Sequence, residues 1–123
     1  MLNGVTPKAH ELVTYETLKG LGHNVELRPV SREEGVKSAD CWVDGSLVEV
    51  KAPQGSGRST VRDLLREGSP QAATVVVDLH RTELPLDQAI AQSEDALRRY
   101  NRLYEVVLIS KNRQIVRRLR GEL

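Results

Sequence analysis

Residues 40–51, Asp-Cys-Trp-Val-Asp-Gly-Ser-Leu-Val-Glu-Val-Lys, decide how this chain folds. An Asp-Gly pair between two runs of alternating apolar residues predicts a two-residue β-hairpin, because both central residues of a type I′ turn need a positive φ. With Asp44 and Gly45 in the loop, four cross-strand pairs follow: Val43 with Ser46, Trp42 with Leu47, Cys41 with Val48, and Asp40 with Glu49.

Two acids and a lysine are expected on one face of this hairpin. Strand alternation puts Asp40, Glu49 and Lys51 on the same side, with the Cβ atoms of the two acids roughly 5 Å apart. Like charges placed opposite each other destabilise a sheet. A divalent cation between them would reverse that effect, because hard metals take oxygen ligands. Two simpler interpretations stay open: Lys51 screens the acids on an exposed hairpin, or a one-residue shift of register separates them.

The composition is that of an ordinary globular protein, and we expect residues 1–123 to form a single domain. Since there is no Phe, one Trp and three Tyr, the core must be aliphatic, and aromatic stacking with bases is poorly supplied. The single cysteine, Cys41, excludes an internal disulfide and a multi-cysteine zinc site, and we expect it in the core. No apolar run predicts a membrane segment or a signal peptide, so the cytoplasm is the expected compartment.

The C-terminal part of the chain is basic. Lysines and arginines are concentrated between Arg98 and Arg120, where Glu105 is the single acid. Such a cluster suits contact with phosphates, and a solvated helix face explains it equally well.

Hydrophobic periodicity and turn signals give the order αβββαβαββ, an α/β architecture built on a mixed sheet. The first helix is expected over Pro7 to Leu21, with Thr6 as N-cap, Gly22 as the stop, and an apolar stripe of Leu12, Tyr15, Leu18 and Leu21. A capping-box-like pair, Thr60 and Asp63, marks the second helix. The other expected elements are strands at 24–30, 74–79, 105–109 and 114–119, a loop at 31–38, helices at 59–67 and 86–102, and a turn at 111–113. In the third helix Ile90, Ala91, Ala96 and Leu97 are expected to face inward.

Several familiar sites are absent from the sequence. His10-Glu11 does not continue to a second histidine, because position 14 is Thr, and there is no G-x-S-x-G elbow or P-loop. The histidines His10, His23 and His80 are scattered and are expected on the surface or in loops.

The pattern that remains suits metal-assisted phosphodiester hydrolysis. Asp40 and Glu49 can each give one oxygen to Mg²⁺, or to Mn²⁺ or Zn²⁺, with the Val50 carbonyl nearby. Lys51 could orient or deprotonate a metal-bound water or meet the developing oxyanion. Glu11 could bind a second ion or fix a water ligand, and an ordinary exposed helix acid is the alternative.

The start of the second helix is a candidate anion site. Ser59 and Thr60 at a helix N-terminus, with Arg58 beside them, could bind a substrate phosphate. An ordinary helix cap is the alternative, and the two are not exclusive.

The order of elements with Asp-x8-Glu-x-Lys resembles the PD-(D/E)xK nuclease fold. More specifically, residues 10–119 resemble the C-terminal toxin domain of contact-dependent growth inhibition systems, of the tRNA-nuclease type. The matching segments begin at Glu11, Gly35, Asp44, Gln71 and Glu105, and the segment Gln71-Ala-x-x-Val-Val-Val-Asp78-Leu includes a further acid. Ala39 departs from this pattern, because the family has a proline before the aspartate.

The resemblance implies a site and partners. It places Glu11, Asp40, Glu49 and Lys51 on the family's active-site positions, and it includes Gln71, which we expect to bind substrate. It also implies a bacterial toxin that cleaves tRNA in the cytoplasm of a target cell, and a cognate immunity protein that covers the site. A DNA endonuclease of the restriction or repair type and an inactive nucleic-acid-binding or interaction module remain alternatives.

Overall fold

The computed structural model describes residues 9–27 and 41–123, which form three α-helices and six strands. The elements, in chain order, are α1 (Ala9–Gly20), β1 (Val25–Leu27), β2 (Cys41–Val43), β3 (Ser46–Lys51), α2 (Thr60–Gly68), β4 (Thr74–Asp78), α3 (Leu86–Arg99), β5 (Glu105–Ile109) and β6 (Ile115–Leu119), followed by a 3₁₀ turn at Arg120–Glu122. The expected order αβββαβαββ is confirmed. The expected cap Thr6, the start of α1 at Pro7, and everything expected of residues 28–40 lie outside the described residues.

The predicted hairpin is present with the predicted register. Asp44 has φ 51° and Gly45 has φ 85°, as a type I′ turn requires. Three of the four expected cross-strand pairs are observed: Val43–Ser46, Trp42–Leu47 and Cys41–Val48. The fourth pair, Asp40 with Glu49, lies outside the described residues.

The six strands form one mixed sheet in the order β1-β2-β3-β4-β5-β6. β3, β4 and β5 run parallel, and the other neighbouring strands pair antiparallel. The apolar run of β4 lies at the centre, where Val75 and Val77 are fully buried and Val76 nearly so. A strand that is buried on both faces has a continuous apolar sequence, and this prediction for β4 is confirmed.

Apolar clusters cover the two faces of the sheet. The larger cluster lies under α2 and α3 and comprises Val61, Leu65, Val75, Val77, Leu79, Leu84, Ala89, Ala96, Leu97, Leu103, Val106 and Leu108. The smaller cluster lies under α1 and comprises Tyr15, Leu18, Cys41, Val48, Val50, Val76 and Ile109. Cys41 is fully buried, so its expected place in the core is confirmed.

Helix α1 ends as predicted but buries a different face. Gly22 has φ 93°, its N–H donates to the carbonyl of Lys19, and the N–H of His23 donates to the carbonyl of Leu18, which is a Schellman motif. The buried residues are Thr14, Tyr15 and Leu18, whereas Leu12 and Leu21 of the expected stripe are 45% and 53% exposed. Thr14 replaces them on the buried face because its hydroxyl has a buried hydrogen-bond partner in β4.

Two further local expectations were wrong. Thr60 does not form a capping box with Asp63, because its Oγ1 instead accepts a hydrogen bond from the Gly57 N–H at 2.9 Å. In α3, Ala91 is exposed, whereas Ala96 and Leu97 are buried as expected and Ile90 packs at the margin of the core.

The hairpin turn gives a first prediction. Replacing Gly45 with Ala should lower the free energy of unfolding by about 1 kcal/mol, because an L-residue is strained at positive φ. Among the described residues, no atom other than those of the chain neighbours and the helix's own backbone lies within 4 Å of a Cβ built at Gly45 or at Gly20, so neither change meets a clash there. Gly20→Ala is the matched control: in the last turn of a helix it should stabilise by up to about 1 kcal/mol. Urea unfolding measures both, and equal effects at the two positions would contradict the turn geometry.

Candidate functional site

A cavity of about 460 Å³ opens where β3 ends, between the start of α1 and the second half of α2. Its lining residues are His10, Glu11, Glu49, Val50, Lys51, Ala52, Pro53, Leu64, Glu67 and Gln71. Five residues that the sequence singled out therefore line one cavity although they come from three separate parts of the chain: Glu11, Glu49 to Lys51, and Gln71.

Glu49 is the most buried carboxylate of this cavity, with 3% of its surface exposed. In the parallel register it is the partner of Val75, which belongs to the cluster under α2 and α3. A Cβ added at Gly68, the last residue of α2, would lie 3.3 Å from Cγ of Glu49. The strand and the end of α2 thus fix the Glu49 carboxylate in place.

Lys51 lies on the same strand face, two residues beyond Glu49. Its Nζ is 3.9 Å from Oε2 of Glu49, and about a quarter of its side chain is exposed. The ammonium group partly offsets the negative charge of the buried carboxylate, and Lys51 also lines the cavity. This arrangement confirms that the two residues share a face.

The first turn of α1 and the last turn of α2 add side chains that sequence reasoning did not assign to the site. His10 and Glu67 line the cavity together with Glu11. The position of His10 next to Glu11, at the start of a predicted helix, could have indicated that it lies near the site. Glu67 had no comparable signal, because only the packing of α2 across Glu49 brings it here.

Oxygen donors at the end of β3 are of the type that Mg²⁺ prefers. Within residues 9–27 and 41–123, no group of three or more His, Cys, Asp or Glu side chains could hold a metal ion. Since Mg²⁺ keeps several waters and uses one or two carboxylates, Glu49 and Val50 fit it as a partial ligand set. Asp40, the remaining expected ligand, lies outside the described residues.

The structure does not bring Arg58, Ser59 and Thr60 into this cavity. Arg58 lies instead beside α3, in a separate depression with Gln88, Ala91 and Gln92. The Ser59 side chain makes no capping hydrogen bond.

A buried glutamine takes the place of the expected anion at the start of α2. Gln92 Oε1 accepts hydrogen bonds from the N–H groups of Val61 at 2.8 Å and Arg62 at 3.3 Å, and Gln92 Nε2 donates to the Gly57 carbonyl at 3.2 Å. These helix N–H groups are the donors an anion would use, so the expected phosphate site there is not supported.

Most of the basic C-terminal residues are engaged within the protein. Arg99 Nε lies 2.9 Å from Asp95 Oδ2, Arg118 Nε lies 3.4 Å from Glu94 Oε2, and Arg117 pairs with Glu105. The Arg120 guanidinium donates to the carbonyls of Tyr100 and Leu103. These contacts argue against a broad phosphate-binding surface, and they also differ from the expected solvated helix face, because Arg117 and Arg118 lie in β6 and are ion-paired.

A second polar cluster lies beyond the cavity, around Asp78 at the end of β4. The Asp78 side chain is fully buried and accepts hydrogen bonds from Arg113 Nη1 at 3.0 Å and Nη2 at 2.6 Å, and from Thr14 Oγ1 at 2.8 Å. His80 Nδ1 lies 2.9 Å from Asp78 Oδ1. Burial alone would raise the pKa of Asp78, but the hydrogen bonds from Arg113, Thr14 and His80 outweigh it and lower that pKa below 3.8.

The other two histidines make no common site with His80. His23 is exposed, and its Nδ1 lies 2.7 Å from Oδ2 of Asp44 in the hairpin turn. The three histidines are scattered as expected, with His23 and His80 in loops, whereas His10 lies half-buried in α1 and lines the cavity.

Residues 37–115 match the protein family described as the contact-dependent growth inhibition CdiA C-terminal domain. The chain belongs to this family. The match covers more than half of the chain and includes Glu49 and Lys51. The resemblance to a toxin domain of contact-dependent growth inhibition is therefore confirmed, and membership of the PD-(D/E)xK superfamily stays a prediction.

The fold of this CdiA C-terminal domain is similar to that of one chain in the CdiA-CT/CdiI toxin and immunity complex from Burkholderia pseudomallei. The TM-score is 0.63 at 19% sequence identity, over 94% of this chain and 91% of that chain. Comparison with curated proteins gave no significant match. Within the described part of the domain, no helix has the length and apolar character needed to cross a bilayer.

The Asp78 cluster predicts acid lability. Because the folded-state pKa of Asp78 is lowered, its ionised form contributes stability above the unfolded-state pKa of about 4, and this contribution is lost as the pH falls through the folded-state value. The free energy of unfolding should therefore decline below about pH 4, and Asp78→Asn should flatten that decline while lowering stability at pH 7.

Asp95→Asn is the control for this measurement. Hydrogen bonding to Arg99 also lowers the pKa of Asp95, but this ion pair is exposed and screened by salt. Urea unfolding between pH 2 and 7 measures how much each carboxylate adds to the free energy of unfolding. In 1 M NaCl the contribution of Asp78 should remain, whereas most of the contribution of Asp95 should be lost. An acid slope that is the same in wild type and Asp78→Asn would contradict the assignment.

Proposed function

We propose that this toxin domain is a metal-dependent endonuclease of the PD-(D/E)xK type that cleaves tRNA. The observation that supports the proposal is the convergence of Glu11, Glu49 and Lys51 on one polar cavity, from two elements and in the combination that phosphodiester hydrolysis needs. The family is one of growth-inhibiting toxins. Cleavage of tRNA in a target cell would be enough to stop its growth.

The proposed metal ligands come from β3 and from Asp40. Glu49, the Val50 carbonyl and Asp40 supply oxygen ligands for Mg²⁺ or for Mn²⁺ or Zn²⁺. When bound, such an ion makes its water a better nucleophile and stabilises the charge that develops on the phosphate. The burial of Glu49 keeps its carboxylate oriented, so that little reorganisation is needed on binding.

Lys51 and Glu11 act from the two sides of the cavity. The Lys51 ammonium, 3.9 Å from Glu49, can donate a hydrogen bond to an attacking water or to a phosphoryl oxygen. Glu11 can accept a hydrogen bond from that water and hold it in line. Gln71, an uncharged donor and acceptor among the lining residues, can contact the sugar–phosphate backbone.

The immunity protein of the structural relative suggests a partner. That relative was solved as a toxin and immunity complex. We propose that a cognate immunity protein binds this domain over the cavity formed by Glu11, Glu49 and Lys51, and so blocks access of the polynucleotide in the cytoplasm of the cell that makes the toxin.

Cleavage assays test the proposal. Purified domain should degrade total tRNA with Mg²⁺, and EDTA should stop it. Asp40→Asn and Glu49→Gln should each reduce the cleavage rate by more than about a hundredfold. A loss of about a hundredfold is the upper end of what is typical when a residue that only hydrogen-bonds to a metal ligand is replaced. Both variants should keep their thermal stability, because removing one of two like charges relieves repulsion.

Glu83→Gln is the matched control. Its side chain is 92% exposed, it lies outside the cavity, and the chemical change is the same. Preferred cutting of plasmid over tRNA would favour a DNA endonuclease. Activity or toxicity that survives in both Asp40→Asn and Glu49→Gln would refute catalysis at this cavity, and binding without any cleavage would indicate an inactive module.

A further inference from the structure

We propose that Thr14, Thr17, Asp78 and Arg113 form a positioning network that holds Glu11 in the cavity. None of the four lines the cavity, so they act through the placement of α1 and not through contact with substrate. The inference rests on the proposed function only where it concerns the rate of cleavage, since the placement of α1 can be measured separately.

The network joins α1 to two other elements through measured contacts. Thr14 Oγ1 donates to Asp78 Oδ2 at 2.8 Å, and Arg113 Nη2 donates to the same oxygen at 2.6 Å. Arg113 also donates to Thr17 Oγ1, from Nε at 3.2 Å and from Nη2 at 3.0 Å. Two successive turns of α1 are therefore bonded to the end of β4 and to the turn between β5 and β6.

Apolar packing alone does not fix the rotation of α1 about its axis. Only Tyr15 and Leu18 are buried apolar residues of this helix, while the apolar Leu12 and Val13 are 45% and 41% exposed. Because the hydrophobic effect has no direction, two buried apolar side chains constrain the rotation of the helix less tightly than directional bonds do. The hydrogen bonds to the buried Asp78 are directional and select one rotation.

That rotation is the one that places Glu11 in the cavity. Glu11 precedes Thr14 by three residues, so the two lie on one face of the helix about 4.5 Å apart along its axis. Asp78 follows Val77, which is the register partner of Lys51 in β3. The network thus bonds the helix of Glu11 to β4, the strand that pairs with β3, which carries Glu49 and Lys51.

The sequence already singled out this acid without giving it a role. Asp78 belongs to the segment that starts at Gln71 and carries part of the family resemblance. The Asp78 carboxylate accepts hydrogen bonds from Thr14 of α1 and from Arg113. These bonds explain why a charged residue occupies the end of the buried central strand β4.

Thr14→Val and Thr17→Val test the network, since each removes one hydroxyl and keeps the shape of a β-branched side chain. Asp78 keeps Arg113 in both variants, so the fold should survive. We expect kcat for tRNA at saturating Mg²⁺ to fall about tenfold or more, because small displacements of a catalytic group are costly. KM should stay within about twofold, since substrate contacts elsewhere are unchanged.

A double-mutant cycle with Glu11→Gln separates positioning from general destabilisation. If Thr14 acts through Glu11, Thr14→Val should cost less than about twofold in kcat when Glu11 is already Gln. Ile109→Val is the control, because Ile109 is fully buried in the same cluster as Tyr15 and Leu18 but makes no contribution to the cavity lining. It should lower stability by about 1 kcal/mol and leave kcat unchanged.

Hydrogen–deuterium exchange provides the readout that does not need catalysis. Thr14→Val should speed exchange of the amides of α1, whereas Ile109→Val should not do so selectively. A cleaving wild type whose Thr14→Val and Ile109→Val variants have equal kcat would overturn the inference. A wild type that cleaves no polynucleotide, with selective loosening of α1 in Thr14→Val, would refute the proposed function and support the network.

Discussion

The buried carboxylate of Asp78 and its ion pair with Arg113 are the constraint on which the arrangement of this domain depends. An ionised carboxylate without exposed surface is tolerated only when its oxygens are bonded, and here Arg113 and Thr14 satisfy them. Removing Arg113 would leave the Asp78 charge buried without its cation, a change that typically costs about 3–5 kcal/mol. The pair therefore locks the end of β4, the β5–β6 turn and α1 into one relative placement.

The cavity at the end of β3 takes its geometry from this framework. The parallel register with β4 fixes the positions of Glu49 and Lys51 in the sheet. The close approach of Gly68 leaves Glu49 little room to move. Helix α1 brings Glu11 from the opposite side. A cavity assembled from a rigid strand and a bonded helix keeps its charged groups oriented, and the proposed hydrolysis needs such fixed groups to stabilise charge in a transition state.

The parts of this arrangement that depend on neighbours in sequence could be predicted, and the parts that depend on distant partners could not. The Asp44-Gly45 turn specifies its own register, and alternation then puts Glu49 and Lys51 on one face. In contrast, the donors at the start of α2 are taken by Gln92 on another helix. No local pattern shows such a partner, just as none shows that Arg117 and Arg118 face acids of β5 and α3. The role of Asp40 stays a prediction.

The strand order has a consequence for how the chain reaches this structure. Each strand of the sheet pairs with the strand that follows it in sequence, and the two longest connections within the sheet are the crossovers through α2 and α3. Folding rates rise as contacting residues lie closer together along the chain, since less loop entropy is lost before each contact forms. An unfolded copy can therefore rebuild the sheet strand by strand, with the Asp44-Gly45 hairpin as the shortest loop to close.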